Sequence, residues 1–222
     1  MPTRRSGSHW ARHPRTAALP KIDPIAPVLR SAPFNDPAWL FEPKYDGFRG
    51  MLYVTPTSCG FYSKRGLVLK QFAGLCEEVR DQLRVREAIL DGEVIAFNDE
   101  GYVDFRLLMR RQGHLRYAVF DLLWLNGRDL RDEPLIERKR RLGPLIPSTA
   151  APVVTQAMTV VGEGVSLFQA AQRLDLEGIV AKRRLDPYGP GVTWYKIKNP
   201  AYTQMEGRGE LFYPPPGKLG SP

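Results

Sequence analysis

The segment Phe41-Glu42-Pro43-Lys44-Tyr45-Asp46-Gly47-Phe48-Arg49 sets a lysine where an apolar strand runs into a turn. Carboxylates stand two residues to either side of Lys44, and an arginine follows five residues on. A lysine amine that sheds its proton is a nucleophile, and neighbouring carboxylates and cations could hold a metal or an anionic substrate beside it. Alone, the segment reads equally as an ordinary turn, which Asp-Gly favours. Four more segments carry groups of the same kinds. Leu90-Asp91-Gly92-Glu93 joins two apolar runs. Tyr117-Ala118-Val119-Phe120-Asp121-Leu122-Leu123 reads as a buried strand with an aromatic and an acid at its centre. Glu177-Gly178-Ile179-Val180-Ala181-Lys182 opens on a carboxylate. Trp194-Tyr195-Lys196-Ile197-Lys198 puts two lysines on one side of a strand, because strand side chains alternate with period two. Each has a structural alternative: Phe120 as core, Lys196 and Lys198 as the solvated face of an edge strand, Glu177 as a surface residue, Asp91-Gly92 as a turn.

The elements that must position these groups are legible as apolar, β-rich stretches at Trp39–Phe41, Gly50–Val54, Ala88–Phe97, Leu115–Leu125, Val153–Val161, Gly178–Lys182 and Thr193–Lys198. Between them, Phe72, Leu75, Cys76, Val79 and Leu83 fall three or four apart, on one helical face. Val103–Arg111, Pro134–Leu145 and Val165–Leu174 are further helix candidates. Regular βαβ alternation is missing, and Trp39–Phe61 reads as consecutive strands joined by turns. The expected fold is therefore α+β, with mainly antiparallel sheets flanked by helices.

Composition narrows the class. The chain of 222 residues is 43% hydrophobic and 25% charged, ordinary for a globular protein. It has no apolar run long enough for a membrane span, and no secretory signal is expected. Cys59 and Cys76 give neither a disulfide framework nor a metal cluster, and a reducing, intracellular setting follows as the default. The net charge of +8 suits a polyanion, but Arg4, Arg5, Arg12, Arg15 and Lys21 concentrate it near the N-terminus, where no acid offsets them. The expected organisation is a basic, disordered tail over residues 1–24, one folded domain over 25–205 and an irregular Gly/Pro-rich tail over 206–222.

Taken together and in order, the five motifs resemble the covalent nucleotidyltransferase superfamily of DNA ligases, RNA ligases and messenger-RNA capping enzymes. The resemblance runs from about Ile22 to Asn199. Its wording is nearest to the adenylation domain of bacterial ATP-dependent DNA ligases of end-joining repair: Lys-Tyr-Asp-Gly-Phe-Arg, Leu-Asp-Gly-Glu, Phe-Asp-Leu-Leu, Glu-Gly-Ile-Val-Ala-Lys and Trp-Tyr-Lys-Ile-Lys. It implies the ligase nucleotidyltransferase (ATP-grasp-like) fold, ATP as the nucleotide and a nick in double-stranded DNA as the partner substrate. It also implies a role in DNA repair and recombination, in a bacterial cytoplasm at the nucleoid.

The chemistry so implied is attack of Lys44 on the α-phosphate of ATP, leaving AMP on the lysine. A free lysine, near pKa ~10.4, is protonated at neutral pH, and nearby cations and partial burial favour its neutral form. By resemblance, Lys196 and Lys198 hold the α-phosphate, Glu177, with Glu93 and Asp46, directs Mg²⁺ or Mn²⁺, and Asp46 positions the turn that carries Lys44. Phe120 stacks on adenine, the backbone at Glu42 reads its edge, Arg49 reaches ribose or phosphate, and Lys182 also belongs to the nucleotide site. Ser63-Lys64-Arg65-Gly66 departs from the family's Ser-Arg-x-Gly. Lys64 keeps the charge there but loses the bidentate fork, for which Arg65 is the partial substitute.

Ligases of this group continue into an oligonucleotide-binding barrel with an Arg-x-Asp-Lys-like motif. The stretch after Lys198 is too short for one and lacks that motif, so the barrel, or a repair protein acting in its place, is expected to come in trans. Two functions follow: an enzyme that adenylates Lys44, or a truncated module that binds ATP or DNA without sealing nicks. RNA ligation or capping-type transfer is the lesser alternative.

Overall fold

A computed structural model describes residues 19–146, 148–149 and 152–205. The expected tails at residues 1–18 and 206–222 lie outside them. Within the stretch read as an N-terminal tail, Ile22 is buried, and its N–H donates to the Tyr53 hydroxyl at 3.0 Å.

Two sheets face each other. The first comprises β1 (Val28–Leu29), β2 (Asn35–Lys44), β9 (Val160–Glu163), β10 (Gly178–Arg183) and β11 (Tyr195–Lys198), in the order β1-β11-β10-β2-β9. The second comprises β3 (Phe48–Val54), β4 (Cys59–Tyr62), β5 (Ala88–Phe97), β6 (His114–Leu125) and β7 (Arg128–Asp129), in the order β4-β3-β5-β6-β7. The short β8 (Val154–Gln156) pairs with β6. Only β1–β11 and β6–β8 are parallel among these pairings, so the mainly antiparallel expectation holds.

The helices α1 (Ala73–Gln82) and α2 (Phe105–Arg110) cover the outer face of the second sheet and α4 (Gly164–Arg173) that of the first, while α3 (Leu135–Leu142) packs on β6 and reaches the first sheet through Lys139. In α1, Leu75, Cys76 and Val79 are buried, as the periodicity requires, and they join Leu52, Leu90 and Val119 in the core behind the second sheet. Leu167, Phe168 and Ala171 of α4 pack on Phe41, Ile179 and Ile197 behind the first. Asp104 caps α2 by accepting from the N–H groups of Arg106 and Leu107. A third apolar cluster, including Met51, Ile89, Leu123, Tyr188 and Trp194, joins the two sheets where they face each other.

The structure corrects two expectations. Trp39–Phe61 is not one run of mutually paired strands: β3 and β4 form an antiparallel hairpin, but β2 lies in the other sheet. The Tyr45–Gly47 turn is therefore a crossing between sheets. Val153–Val161 is likewise two strands, with β8 paired to β6 in one sheet and β9 to β2 in the other. Ala157 ends the first by donating to the Val119 carbonyl at 2.7 Å. An apolar run shows that a segment is buried, not which sheet buries it.

Candidate functional site

Strand alternation assembles the floor of the site from three neighbouring strands. Across the first sheet, Val180 faces Glu42 on one side and Lys196 on the other, and the next rank sets Gly178 between Lys44 and Lys198. Glu42 and Lys44 therefore share a face with Val180, Lys182, Lys196 and Lys198. Gly178 has φ +141°, and a Cβ there would lie 2.0 Å from the Ile197 carbonyl oxygen, so only glycine lets β10 and β11 close up beside Glu177.

The second sheet supplies the roof. Arg49 pairs with Glu93 across β3 and β5. On β6 the register slips between the Asp91–Asp121 and Gly92–Val119 pairs, leaving Phe120 without a partner on β5. Such a bulge re-aims a side chain, and here Phe120 lines the space between the sheets. A Cβ on Gly47 would sit 2.2 Å from the Val94 carbonyl oxygen, so the crossing turn depends on that glycine to lie against β5.

Between floor and roof lies a cavity of about 720 Å³, a size that suits a small ligand. Its walls include Glu42, Lys44, Arg49, Lys64, Arg65, Glu93, Phe120, Lys182 and Lys196. At one end the amine of Lys44, whose side chain is one-fifth exposed, donates to Glu177 Oε2. Lys198 Nζ lies 4.0 Å from the other oxygen of Glu177. Glu93 stands on the same wall. Burial pushes its carboxyl up to about 8, against the opposing pull of Lys44 and Arg49.

At the other end the charges are buried and paired. Glu42 takes Lys182 Nζ at 2.7 Å on one oxygen and Lys139 Nζ at 2.5 Å on the other. Burial raises the Glu42 carboxyl, but the two lysines outweigh it and hold it below the usual carboxylate range. Burial draws the Lys182 ammonium down to about 8 although Glu42 opposes it. Its Nζ lies 4.1 Å from the ring centroids of both Phe120 and Trp194, which meet edge to face at 6.0 Å.

Several expectations change in detail. Arg49 lines the cavity, but its fork grips Asp91 through bonds of 3.0 and 2.6 Å and reaches the Ile25 carbonyl at 2.5 Å. Most of its donors are thus committed within the protein. Asp46 is buried, lies outside the cavity lining and accepts from the Tyr202 hydroxyl at 3.0 Å on one carboxylate oxygen. That bond suits the bracing of the Lys44 turn expected of it. Lys198 stays half-exposed beside Glu177, outside the wall that Lys196 helps form.

Sequence reading missed Lys139 and Trp194. The first lies on α3 in no motif, and only the buried Arg138–Asp121 pair, at 2.7 and 2.8 Å, shows how firmly that helix is anchored to β6. The second was legible as an aromatic beside the lysine pair.

For a divalent cation the donors are hard oxygens, from Glu93 and Glu177. No group of three or more His, Cys, Asp or Glu among the described residues forms a protein-only cage. Mg²⁺ and Mn²⁺ suit such a site, since Mg²⁺ takes few protein oxygens alongside phosphate and water. The raised Glu93 carboxyl is a group that an arriving cation would ionise. No helix among the described residues is long and apolar enough to cross a membrane.

Comparison with known proteins bears on the whole arrangement. The family model described as "ATP dependent DNA ligase domain" matches residues 24–198. DNA ligase 1 of Korarchaeum cryptofilum is 30% identical over 195 residues, 81% of this chain and 36% of that protein. The SPbeta prophage-derived DNA ligase-like protein LigB of Bacillus subtilis is 30% identical over 193 residues, 82% of this chain and 70% of that protein. The multifunctional non-homologous end joining DNA repair protein LigD of Mycobacterium tuberculosis is 27% identical, and the match covers 88% of this chain but 27% of LigD. Among solved structures, mycobacterial DNA ligase D complexed with ATP and MES superposes with a TM-score of 0.65 at 26% identity, covering 79% of this chain and 60% of that one. The match thus spans about a third of the Korarchaeum ligase and about a quarter of LigD, against 70% of LigB, and the chain belongs to the ATP-dependent DNA ligase domain family.

Proposed function

We propose that this chain is a self-adenylating ligase domain in which Lys44 takes AMP from ATP for transfer to the 5′-phosphate at a nick in double-stranded DNA. The observation that carries the reading is the position of the Lys44 amine: on the wall of a nucleotide-sized cavity, hydrogen-bonded to a carboxylate, with Glu93 and Lys196 on the same walls. In the reaction, Lys44 Nζ attacks the α-phosphorus. A P–N bond forms, the P–O bond to the β-phosphate breaks, and pyrophosphate leaves with the electron pair. The departing amine proton has an acceptor in contact, Glu177 Oε2.

Lys196 neutralises charge that develops on the phosphate, with Lys198 contributing from the rim. Phe120 stacks on the base, with Trp194 packed edge to face against Phe120, and Glu42 and Lys182 meet the edge of the base. Lys64 and Arg65 lie at the cavity wall, where the outer phosphates or the DNA strand would pass. Glu93 and Glu177 would hold Mg²⁺ or Mn²⁺, which supplies Lewis-acid stabilisation of the phosphates when bound. Nick sealing calls on an oligonucleotide-binding domain or repair partner that closes over the site.

Intact-mass measurement after incubation with ATP and Mg²⁺ tests the first step. An added AMP that vanishes in Lys44→Ala is expected. No adduct on folded protein at saturating ATP overturns the reading.

A further inference from the structure

Lys139 is a buried cation that no step above uses. It projects from α3, is 5% exposed and does not line the cavity, yet its Nζ lies 2.5 Å from Glu42 Oε1. The other oxygen of Glu42 holds Lys182 Nζ at 2.7 Å, and both Glu42 and Lys182 do line the cavity. Lys139 therefore holds the carboxylate from behind as a close ion pair, outside hydrogen-bond alignment. Its helix has little freedom to move, because neighbouring Arg138 is fully buried in a two-bond pair with Asp121 and also donates to the carbonyls of Glu133 and Asp186.

The consequence lies at the edge of a purine. Glu42 and Lys182 offer one acceptor and one donor side by side, with the Lys182 amine against the rings of Phe120 and Trp194. Adenine matches that order in one position, its 6-amino group toward the carboxylate and N1 toward the ammonium. Guanine matches it only when displaced, with N1–H toward the carboxylate and O6 toward the ammonium. A carboxylate free to turn could serve either base. One gripped on its far oxygen can serve only the base that fits its fixed position.

Resting on the nucleotide-binding reading above, we propose that Lys139 is a specificity-determining positioning residue: by pinning Glu42 from outside the cavity, it fixes the acceptor–donor order that selects adenine over guanine. It touches neither base nor phosphate. Removing it should relax the choice of purine more than it slows phosphoryl transfer.

The test is nucleotide binding, by titration calorimetry with ATP and with GTP, in a Lys44→Ala background so that no covalent step is needed. The parent should prefer ATP. Adding Lys139→Met should cut that preference at least tenfold, whereas Lys139→Arg, which can still reach the carboxylate, should retain most of it. Lys139→Met leaves Glu42 with one partner and could fail to fold. Glu42→Gln/Lys139→Met removes the stranded charge and should fold while still discriminating poorly. In protein with Lys44 intact, the adenylation KM for ATP should rise on Lys139→Met with kcat changed less. A parent that does not prefer ATP, or a folded Lys139→Met or double variant with the parent's preference, overturns the proposal. Absence of AMP transfer to intact Lys44 would instead count against the adenylation reading alone, since the binding measurement does not depend on it.

Discussion

The two ends of the cavity are built on the same strands by opposite means. On β2, Glu42 and Lys44 are two residues apart and point the same way, yet Glu42 is almost fully buried with a lysine on each oxygen, while Lys44 keeps a fifth of its side chain open and has one carboxylate partner. Fully paired buried charges are expensive to disturb and hold a fixed geometry. A partly open amine with a single partner can exchange that partner for a substrate. Rigidity thus sits where a base would be recognised, and adjustable charge sits where a bond would be made and broken.

The largest expected effect breaks the open end. Lys44→Ala should reduce AMP transfer at least ~10³-fold in a single-turnover assay while leaving the fold intact, because it deletes the nucleophile and only a half-open ion pair. The converse applies at the buried side. Arg138→Met strands the fully buried Asp121 and should cost about 3–5 kcal/mol in denaturant unfolding. Transfer per folded molecule should change far less than with Lys44→Ala. Comparable losses of transfer in the two variants would erase the distinction between the ends.

A pH titration sharpens the comparison. The Lys182 ammonium is drawn down to about 8 in the folded protein from an ordinary 10.5, chiefly by burial. Between these values the unfolded chain binds more protons than the folded one, so this group makes stability rise with pH from about 8 to about 10.5. Thermal melts across that window should show the rise, and Lys182→Met should lack this group's share of it. Smaller effects belong to the lysine pair on β11. Lys196→Ala should slow AMP transfer by ~10–10²-fold, and Lys198→Ala, half-exposed at the rim, by less than ~10-fold. The reverse order would mean that the phosphates lie nearer the rim than the wall.

Much of this plan was legible in the residues. The apolar run Ala88–Phe97 is strand β5 to the residue, and the three-and-four spacing from Phe72 to Leu83 holds α1. Lys44, Glu177, Lys196 and Glu93 could be singled out because alternation and motif order place them without knowledge of distant contacts. What stayed hidden depends on those contacts. That β2 and β3 part into different sheets is decided by partners far along the chain. That Asp46 is tied to Tyr202, distant in sequence, could not be read beside Lys44. Arg49 looks free until Asp91 and Ile25 occupy its fork. Lys139, on a helix rich in basic residues, gave no local sign that it alone turns inward to Glu42.

Lys44, among the lysines around this cavity, is the one proposed to take AMP. Fragment mass spectrometry of ATP-treated protein tests it directly by locating the label. AMP is expected on the peptide containing Lys44, with Lys182, Lys196 and Lys198 unmodified. Label on any of those three instead, or on no lysine of folded, ATP-saturated protein, would contradict the account.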